Sequence, residues 1–276
     1  MSEKNILKYI KIKNEYDLLK EQLSEEIQNK QWLTYHEYEN LKAEYLKYFG
    51  NLKYTEFLCS LKFSKLKFKI SLIQDKINNN DFLNLKEIEK ETKDTFKIYD
   101  AQIISMQEDL KKAKDILKNS ENLKTHEYEI KKIYKKLIKK HHPEILESSS
   151  KKDKKLWLRI EKAYENFDFN LLRKYFNENY DENNSIKETI TISDENISDI
   201  KKSCKNFSNL IDKYQKEISM INLSFPFDKK EILNNPEKIK KEISKFKKNI
   251  INFNLYIMEM ESIIASITQP PKKFFS

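Results

Sequence analysis

Apolar residues recur at helical spacing along nearly the whole chain, separated by charged residues. This pattern predicts a first helix from Ile6 to about Asn29, a second from Tyr35 to Asn78 and a third from about Leu85 to Asn119. Gly50 lies inside the second helix and is the expected position of a kink. Because these helices exceed the elements of an ordinary compact domain, we expect an all-α fold of long antiparallel helices in coiled-coil-like packing.

Polar breaks divide the rest of the chain. Residues 119–125 and 148–150 interrupt the helical pattern, and the polar run 179–185 is typical of a linker. The breaks indicate an N-terminal long-helix arm over residues 1–120, a central segment over 121–182 and a C-terminal part over 183–276.

The C-terminal part is predicted to form a helical hairpin. Its first helix starts near Ser193 and stops at the corner made by residues 225–227. Its second helix has Asn235 as N-cap and Pro236 at the first helical position, and it ends at the proline pair 270–271. We expect the two helices to lie side by side.

The composition agrees with an all-α fold and argues against several kinds of site. The 276 residues include one glycine and five prolines. A Gly-rich phosphate loop, a dinucleotide-binding turn or a sheet with tight hairpins needs glycines at fixed offsets, because only glycine takes positive φ without strain. We therefore expect no glycine-cradled cofactor and no enzyme of that kind.

The net charge of +9 does not by itself indicate a nucleic-acid partner. Of the 53 basic residues, all but Arg159 and Arg173 are lysines. A dedicated nucleic-acid reader usually carries arginine for bidentate phosphate or guanine contacts, which lysine does not reproduce. Solvated helix faces are the simpler interpretation, so we do not expect nucleic acid as the partner.

Cysteine usage and hydropathy favour a cytoplasmic protein. Cys59 and Cys204 are far apart and form no CxxC motif, which suits a reducing compartment and two unpaired thiols. The most apolar segment, residues 250–267, is interrupted by asparagines and glutamates, so it is a poor membrane span. We expect a cytoplasmic location and no membrane partner.

Residues 125–176 carry the most specific pattern. Thr125 can cap a helix whose apolar and basic residues separate onto opposite halves between Ile130 and Lys140. The basic half consists of Lys131, Lys132, Lys135, Lys136, Lys139 and Lys140. Pro143 ends this helix, because proline cannot continue the hydrogen-bond pattern and restricts the residue before it.

A second short helix follows, with Ser150 and Asp153 as its capping pair. The two helices are expected to form a compact antiparallel hairpin in which Lys131, Lys135 and Lys139 are exposed. The expected buried cluster contains Ile130, Ile133, Leu137, Trp157, Ile160, Ala163 and Tyr164.

These two helices resemble helices II and III of a J-domain, the DnaJ co-chaperone module. In that family helix II carries tyrosine and leucine at the places of Tyr134 and Leu137, and it ends in a His-Pro-Asp signature. The corresponding signature here is His142-Pro143-Glu144. Helix III of the family carries an Ile-x-x-Ala-Tyr core, and the matching residues are Ile160, Ala163 and Tyr164. The helical arms on both sides are similar to those of bacterial J-domain-containing proteins.

The resemblance implies a docking site for a DnaK-type chaperone ATPase. J-domains dock the basic face of helix II on an acidic surface of that ATPase, and the His-Pro-Asp loop couples docking to ATP hydrolysis. The residues implied in partner binding are Lys131, Lys132, Lys135, Lys136, Lys139, Lys140, His142, Pro143 and Glu144. Such a site works by a steered, salt-sensitive encounter followed by a short-range contact.

Two features depart from the family pattern. Glu144 stands where the family has aspartate, so the charge is kept but the added methylene displaces the carboxylate by about an ångström. Helix I of the family, with its Asp-Tyr-Tyr-x-x-Leu-Gly pattern, has no counterpart in residues 121–129. We expect the end of the preceding long helix to cover the helix pair instead.

The expected function is a non-enzymatic co-chaperone or adaptor that recruits and stimulates a DnaK-type ATPase. The helical arms would offer a surface for a client protein or for self-association. The alternative is a structural coiled-coil interaction protein with a degenerate, uncoupled J-like domain.

Neither a catalytic nor a metal site is expected. His141 and His142 are adjacent and point different ways, and the other histidines, His36 and His126, are distant in sequence. No nucleophile or second motif accompanies them, so we expect no acid–base catalysis and no cofactor.

Overall fold

A computed structural model of the chain describes residues 3–124, 126–146, 150–179 and 194–268. All regular structure within these ranges is helical, which confirms the predicted all-α fold. The α-helices in chain order are α1 (Glu3–Trp32), α2 (Tyr38–Asn78), α3 (Leu85–Phe96), α4 (Asp100–Lys124), α5 (Glu127–His141), α6 (Lys151–Glu165), α7 (Phe169–Asn179), α8 (Asp194–Leu223), α9 (Lys230–Leu233) and α10 (Pro236–Thr268).

The first two predicted helices are joined without a break. A π-helical turn over Leu33–Glu37 connects α1 to α2, and wide turns of this kind often occur at functional or strained positions. His36 in this turn is buried, and its ring contacts those of Trp32, Tyr164 and Phe167. The connection is therefore packed against Trp32 of α1 and Tyr164 of α6.

The third predicted helix is divided in two. A 3-10 turn over Lys97–Tyr99 separates α3 from α4. The N-cap of α3 is Asn84, whose side chain accepts hydrogen bonds from the backbone N–H groups of Lys86 and Glu87. The cap therefore lies just after the asparagine-rich turn that follows α2.

The chain folds as two compact units, which differ from the three parts expected from the polar breaks. Unit 1 comprises Met1–Leu41 and Lys118–Asp228, and unit 2 comprises Lys42–Leu117 and Lys229–Ser276. The helices α8 and α10, expected to form a hairpin, belong to different units and have different partners. The physical reason is that each buries its apolar face on a helix of the N-terminal arm, α8 on α1 and α10 on α2.

In unit 1, α1 packs against both α8 and α5. Tyr16 of α1 contacts Phe207 of α8, and Lys30 of α1 pairs with Glu217 of α8, so these two helices run parallel. The buried core of this unit contains Leu23, Ile27, Ile130, Tyr134, Leu137, Ile138, Ile145, Trp157, Ile160, Ala163, Tyr164, Leu172, Phe207, Ile211 and Tyr214.

In unit 2, the part of α2 after Leu41 packs against α4 and α10. Lys42 pairs with Asp109 at 2.8 Å, whereas Phe57, further along α2, lies against Tyr99 just before α4, so α2 and α4 run antiparallel. Gln107 also donates to the Tyr54 hydroxyl at 2.7 Å. The rings of Phe49 and Phe246 lie 6.1 Å apart on the α10 side.

Gly50, the expected position of a kink, lies within α2. The helix continues through it, and Gly50 is buried. A Cβ at this position would collide with the Leu110 side chain of α4. The glycine therefore serves close approach of two helices.

Helix α10 is long and apolar enough, by length and composition alone, to cross a membrane. One of its sides packs on α2, where Phe253 and Tyr256 contact Phe63. The expectation of no membrane partner stays a prediction.

Candidate docking site

The J-like hairpin forms around the His-Pro junction as the sequence predicts. Helix α5 ends at His141, and His142 is extended, with φ −68° and ψ 129°. The backbone N–H groups of Ile145 and Leu146 both donate to the carbonyl of His142, at 3.0 and 2.9 Å. These bonds close a tight turn that presents Pro143. Thr125, expected to cap α5, lies outside the described residues.

The start of α6 confirms the predicted cap. The Ser150 backbone N–H donates to Asp153 Oδ2 at 2.9 Å, and the Asp153 N–H donates to Ser150 Oγ at 3.2 Å. The hydrogen bonds from Ser150 hold the pKa of Asp153 below its usual value. This reciprocal pair of hydrogen bonds satisfies two backbone N–H groups at the start of α6.

The predicted cluster between α5 and α6 is confirmed. Six of its seven residues are buried, and Ile133 is partly buried against them. The rings of Tyr134 and Tyr164 stack with centroids 3.5 Å apart, and Trp157 stacks on Tyr134 at 5.7 Å. The Tyr134 hydroxyl donates to Gln31 of α1 at 2.9 Å. The hairpin is therefore built into the core of unit 1.

Helix α7 completes the hairpin and was missed by sequence reasoning. Phe167 adopts a positive φ of 55°, which breaks the helical path after α6. Asp168 then accepts a hydrogen bond from the Leu171 N–H at 2.9 Å, and Leu172 is fully buried. The available signal was an aspartate at a capping position followed by apolar residues at helical spacing.

His142 is buried inside the turn and is not presented to solvent. Its ring meets Trp157 edge to face at 4.7 Å, and its Nδ1 accepts a hydrogen bond from the Glu144 N–H at 3.2 Å. Burial lowers the pKa of His142 to about 4, although the Glu144 carboxylate partly opposes this shift. The imidazole is therefore neutral at pH 7 and acts as a structural acceptor in the turn.

Glu144 is held by α8. The Tyr214 hydroxyl donates to Glu144 Oε2 at 2.5 Å, and Lys213 Nζ lies 3.7 Å from Oε1. Burial and this hydrogen bond raise the pKa of Tyr214 well above its usual value. Sequence reasoning missed both α8 residues, because nothing local to the hairpin indicates them.

Three of the lysines expected to be exposed are half-buried instead: Lys131, Lys135 and Lys139. The reason is that α1 lies against this side of α5. Lys135 Nζ pairs with Glu21 at 2.6 Å and Glu25 at 2.5 Å, and Lys139 also pairs with Glu21.

These pairs shift the pKa values of Glu21 and Lys135. Burial alone would raise the pKa of Glu21, but the hydrogen bonds from Lys135 and Lys139 outweigh it and lower the pKa. Burial would likewise lower the pKa of Lys135, but hydrogen bonds to Glu21 and Glu25 raise it. Both shifts favour the charged forms, so Glu21 and Lys135 stay ionised at pH 7.

Lys131 has three partners, two at its ammonium group and one at its backbone carbonyl. Its Nζ pairs with Glu127 at 2.7 Å and lies 3.7 Å from the centroid of the Trp32 ring. Its backbone carbonyl accepts a hydrogen bond from Gln28 of α1. Helix α1 therefore covers this side of α5; the end of the preceding long helix, which we expected to cover the pair, falls partly outside the described residues.

The other lysines of the basic half face away from α1. Lys132 and Lys140 are exposed, and Lys136 is half-buried. Lys140 donates to the backbone carbonyl of Asn179, and Lys136 Nζ lies 5.2 Å from the Phe176 ring centroid, so both contact α7.

A cleft of about 480 Å³ lies beside the His-Pro-Glu turn. Its lining is Lys30, Gln31, Thr34, Tyr35, His142, Pro143, Glu144, Trp157, Glu161 and Tyr214. On the side opposite the turn, Glu161 accepts hydrogen bonds from Gln31 at 3.0 Å and Tyr35 at 3.1 Å. Burial and Glu161 raise the pKa of Tyr35 to about 12.

The histidines show no arrangement suited to metal binding. Within the described ranges, no group of three or more His, Cys, Asp or Glu side chains is placed to hold a metal ion.

No family model, curated protein or solved structure matches this chain. The resemblance to a J-domain therefore rests on the residues of α5, α6 and the turn between them.

Proposed function

We propose that this chain is a non-enzymatic, J-domain-like co-chaperone or adaptor that recruits a DnaK-type chaperone ATPase. The observation that supports it most is the α5–α6 hairpin, with the sequence His142-Pro143-Glu144 at its turn and lysines on its outer side. The buried cluster under the hairpin supports the same proposal, since it holds the turn in one conformation.

The proposed mechanism has two steps. Lysines on α5 attract an acidic surface of the ATPase, which speeds the encounter at low salt. Pro143 and Glu144 then make the short-range contact that promotes ATP hydrolysis. The lysines paired with Glu21 and Glu25 contribute less to this attraction, because the glutamates offset their charge.

The test is an ATPase assay with the DnaK-type chaperone of the same cell. We expect the full-length protein to stimulate hydrolysis, with an effect that weakens as salt rises, because screening acts over about 10 Å at 0.1 M. His142→Gln should abolish stimulation. His126→Gln is the matched control, because His126 stacks on Phe169 at the opposite end of α5 and lies outside the turn. Equal stimulation by the two variants would contradict the proposal.

A second candidate is a structural interaction protein whose J-like hairpin is uncoupled. Two observations favour it: Glu144 is held by Tyr214 of α8, and two of the lysines are paired with glutamates of α1. Both contacts occupy groups that a J-domain would offer to its partner.

Glu144→Asp and Tyr214→Phe separate the two candidates. Tyr214→Phe removes the hydroxyl that holds Glu144, and Glu144→Asp restores the family's shorter carboxylate. A co-chaperone with imperfect coupling should gain stimulation from either change. If neither variant nor the native protein stimulates or binds the ATPase at low salt, the hairpin is structural and the second candidate holds.

A further inference from the structure

The lysines of α5 form two stripes that have different surroundings. The inner stripe, defined as Lys131, Lys135 and Lys139, lies against α1 and is half-buried. The outer stripe, defined as Lys132, Lys136 and Lys140, lies on the α7 side, and its first and last members are exposed. Each stripe has four-residue spacing, so each follows one line along the helix.

Glu21 and Glu25 are spaced to match the inner stripe. They are four residues apart on α1, and α1 runs antiparallel to α5, so Glu21 meets Lys139 and Lys135 while Glu25 meets Lys135. The hydrogen bond from Gln28 to the Lys131 carbonyl continues the same line of contacts.

Buried side chains anchor α1 beside the inner stripe. Leu23 and Ile27 of α1 lie within one helical turn of Glu21 and Glu25. Both are fully buried in the core shared with α5 and α6. Burying a leucine or isoleucine side chain contributes about 1.5–3 kcal/mol, so α1 stays in place when a partner approaches. Glu21 and Glu25 therefore remain beside the inner lysines and offset their charge.

We propose that an acidic protein partner docks on the outer stripe and that Glu21 and Glu25 set how strongly the whole face attracts it. The identity of the partner as a DnaK-type ATPase rests on the proposed function. The location of the docking surface does not. Lys132 and Lys140 are exposed, and Lys140 also donates to the Asn179 carbonyl. Lys135 and Lys139 are half-buried beside α1 and are paired with its glutamates.

The first experiment compares two pairs of charge-matched variants of the full chain. Binding is measured at low salt to two probes, the DnaK-type ATPase and poly-L-glutamate. Lys132→Gln with Lys140→Gln should weaken binding about tenfold, because it removes two accessible charges. Lys135→Gln with Lys139→Gln removes the same charge and should change binding less than threefold. Equal losses from the two pairs would overturn the assignment of the outer stripe.

The second experiment removes the covering charges. Glu21→Gln with Glu25→Gln should strengthen binding to both probes and steepen its salt dependence. The control is Glu15→Gln with Glu26→Gln, which changes the net charge by the same amount. These two glutamates lie on the side of α1 that faces α8, where Glu26 accepts a hydrogen bond from Gln215. If both double variants strengthen binding equally, Glu21 and Glu25 have no special role and the inference is wrong.

The two probes keep this inference separate from the proposed function. Failure of every variant to bind the ATPase at low salt would reject the proposed function, and the order of the variants on poly-L-glutamate would still decide the inference. Binding of the ATPase with no difference between the stripes on either probe would reject the inference alone.

Discussion

His36 and His142 are buried histidines of unit 1 whose pKa values are strongly shifted. His36 contacts three aromatic rings, and His142 forms the base of the His-Pro-Glu turn. Burial lowers the pKa of each to about 4. Because their usual value is 6.5, both rings are neutral in the folded protein at pH 7, and a drop in pH charges them first in the unfolded chain.

This difference predicts an acid-sensitive stability. Between pH 6.5 and 4 the unfolded chain binds more protons than the folded one, so the free energy of unfolding falls as pH falls. From pH 7 to pH 5 we expect a loss of about 2 kcal/mol for each histidine. Urea unfolding at the two pH values measures it. His142→Gln should remove its share of the pH dependence, and an unchanged slope in that variant would show that its ring is accessible to protons when folded.

At the scale of helices, close contact between α2 and α4 depends on Gly50. A Cβ there would meet the Leu110 side chain, and Leu46 lies 3.2–3.3 Å from the same position. Glycine is less favourable than alanine within a helix by about 1 kcal/mol, so helix propensity alone does not favour glycine at this position. The contact between the two helices therefore has a local cost within α2.

A double-mutant cycle tests this contact. Gly50→Ala gains helix propensity but overpacks the site, and overpacking costs about 1–3 kcal/mol. Leu110→Ala removes the colliding side chain. We therefore expect Gly50→Ala to raise the free energy of unfolding more in the Leu110→Ala background than in the native chain, as measured by urea unfolding. Additive effects of the two changes would contradict the close approach.

At the scale of the whole molecule, each unit has buried residues of its own. The core of unit 1 centres on Tyr134, Trp157 and Tyr164, whereas Phe49 and Ile73 of α2 are fully buried in unit 2. A core substitution should therefore act first on the unit that contains it.

Hydrogen exchange of Trp157→Ala tests this separation. Truncating a buried tryptophan costs about 3–5 kcal/mol, so amides of α5, α6 and α7 should lose protection. The amides of α2 after Leu41 should keep theirs, because their buried contacts are unchanged. Equal loss of protection in both regions would show that the chain unfolds as one cooperative body.

The sequence by itself determined where several helices begin and end, and the turn between α5 and α6. Pro143 ends α5, Ser150 and Asp153 cap α6, and Asn235 caps α10, where its side chain accepts from two backbone N–H groups. Each of these features depends on residues within about one helical turn, so local chemistry is sufficient to place it.

Tertiary structure alone decided which helix covers which face. The pair of Glu21 with Lys139 joins residues 118 positions apart, and that of Tyr214 with Glu144 joins residues 70 apart. Several amphipathic helices in this chain offer similar apolar faces and flanking charges, so periodicity predicts that a face is buried without naming its partner. The choice of α1 and α8 depends on how the whole core of unit 1 packs. That choice paired the inner stripe with glutamates of α1 and left Lys132 and Lys140 of the outer stripe exposed.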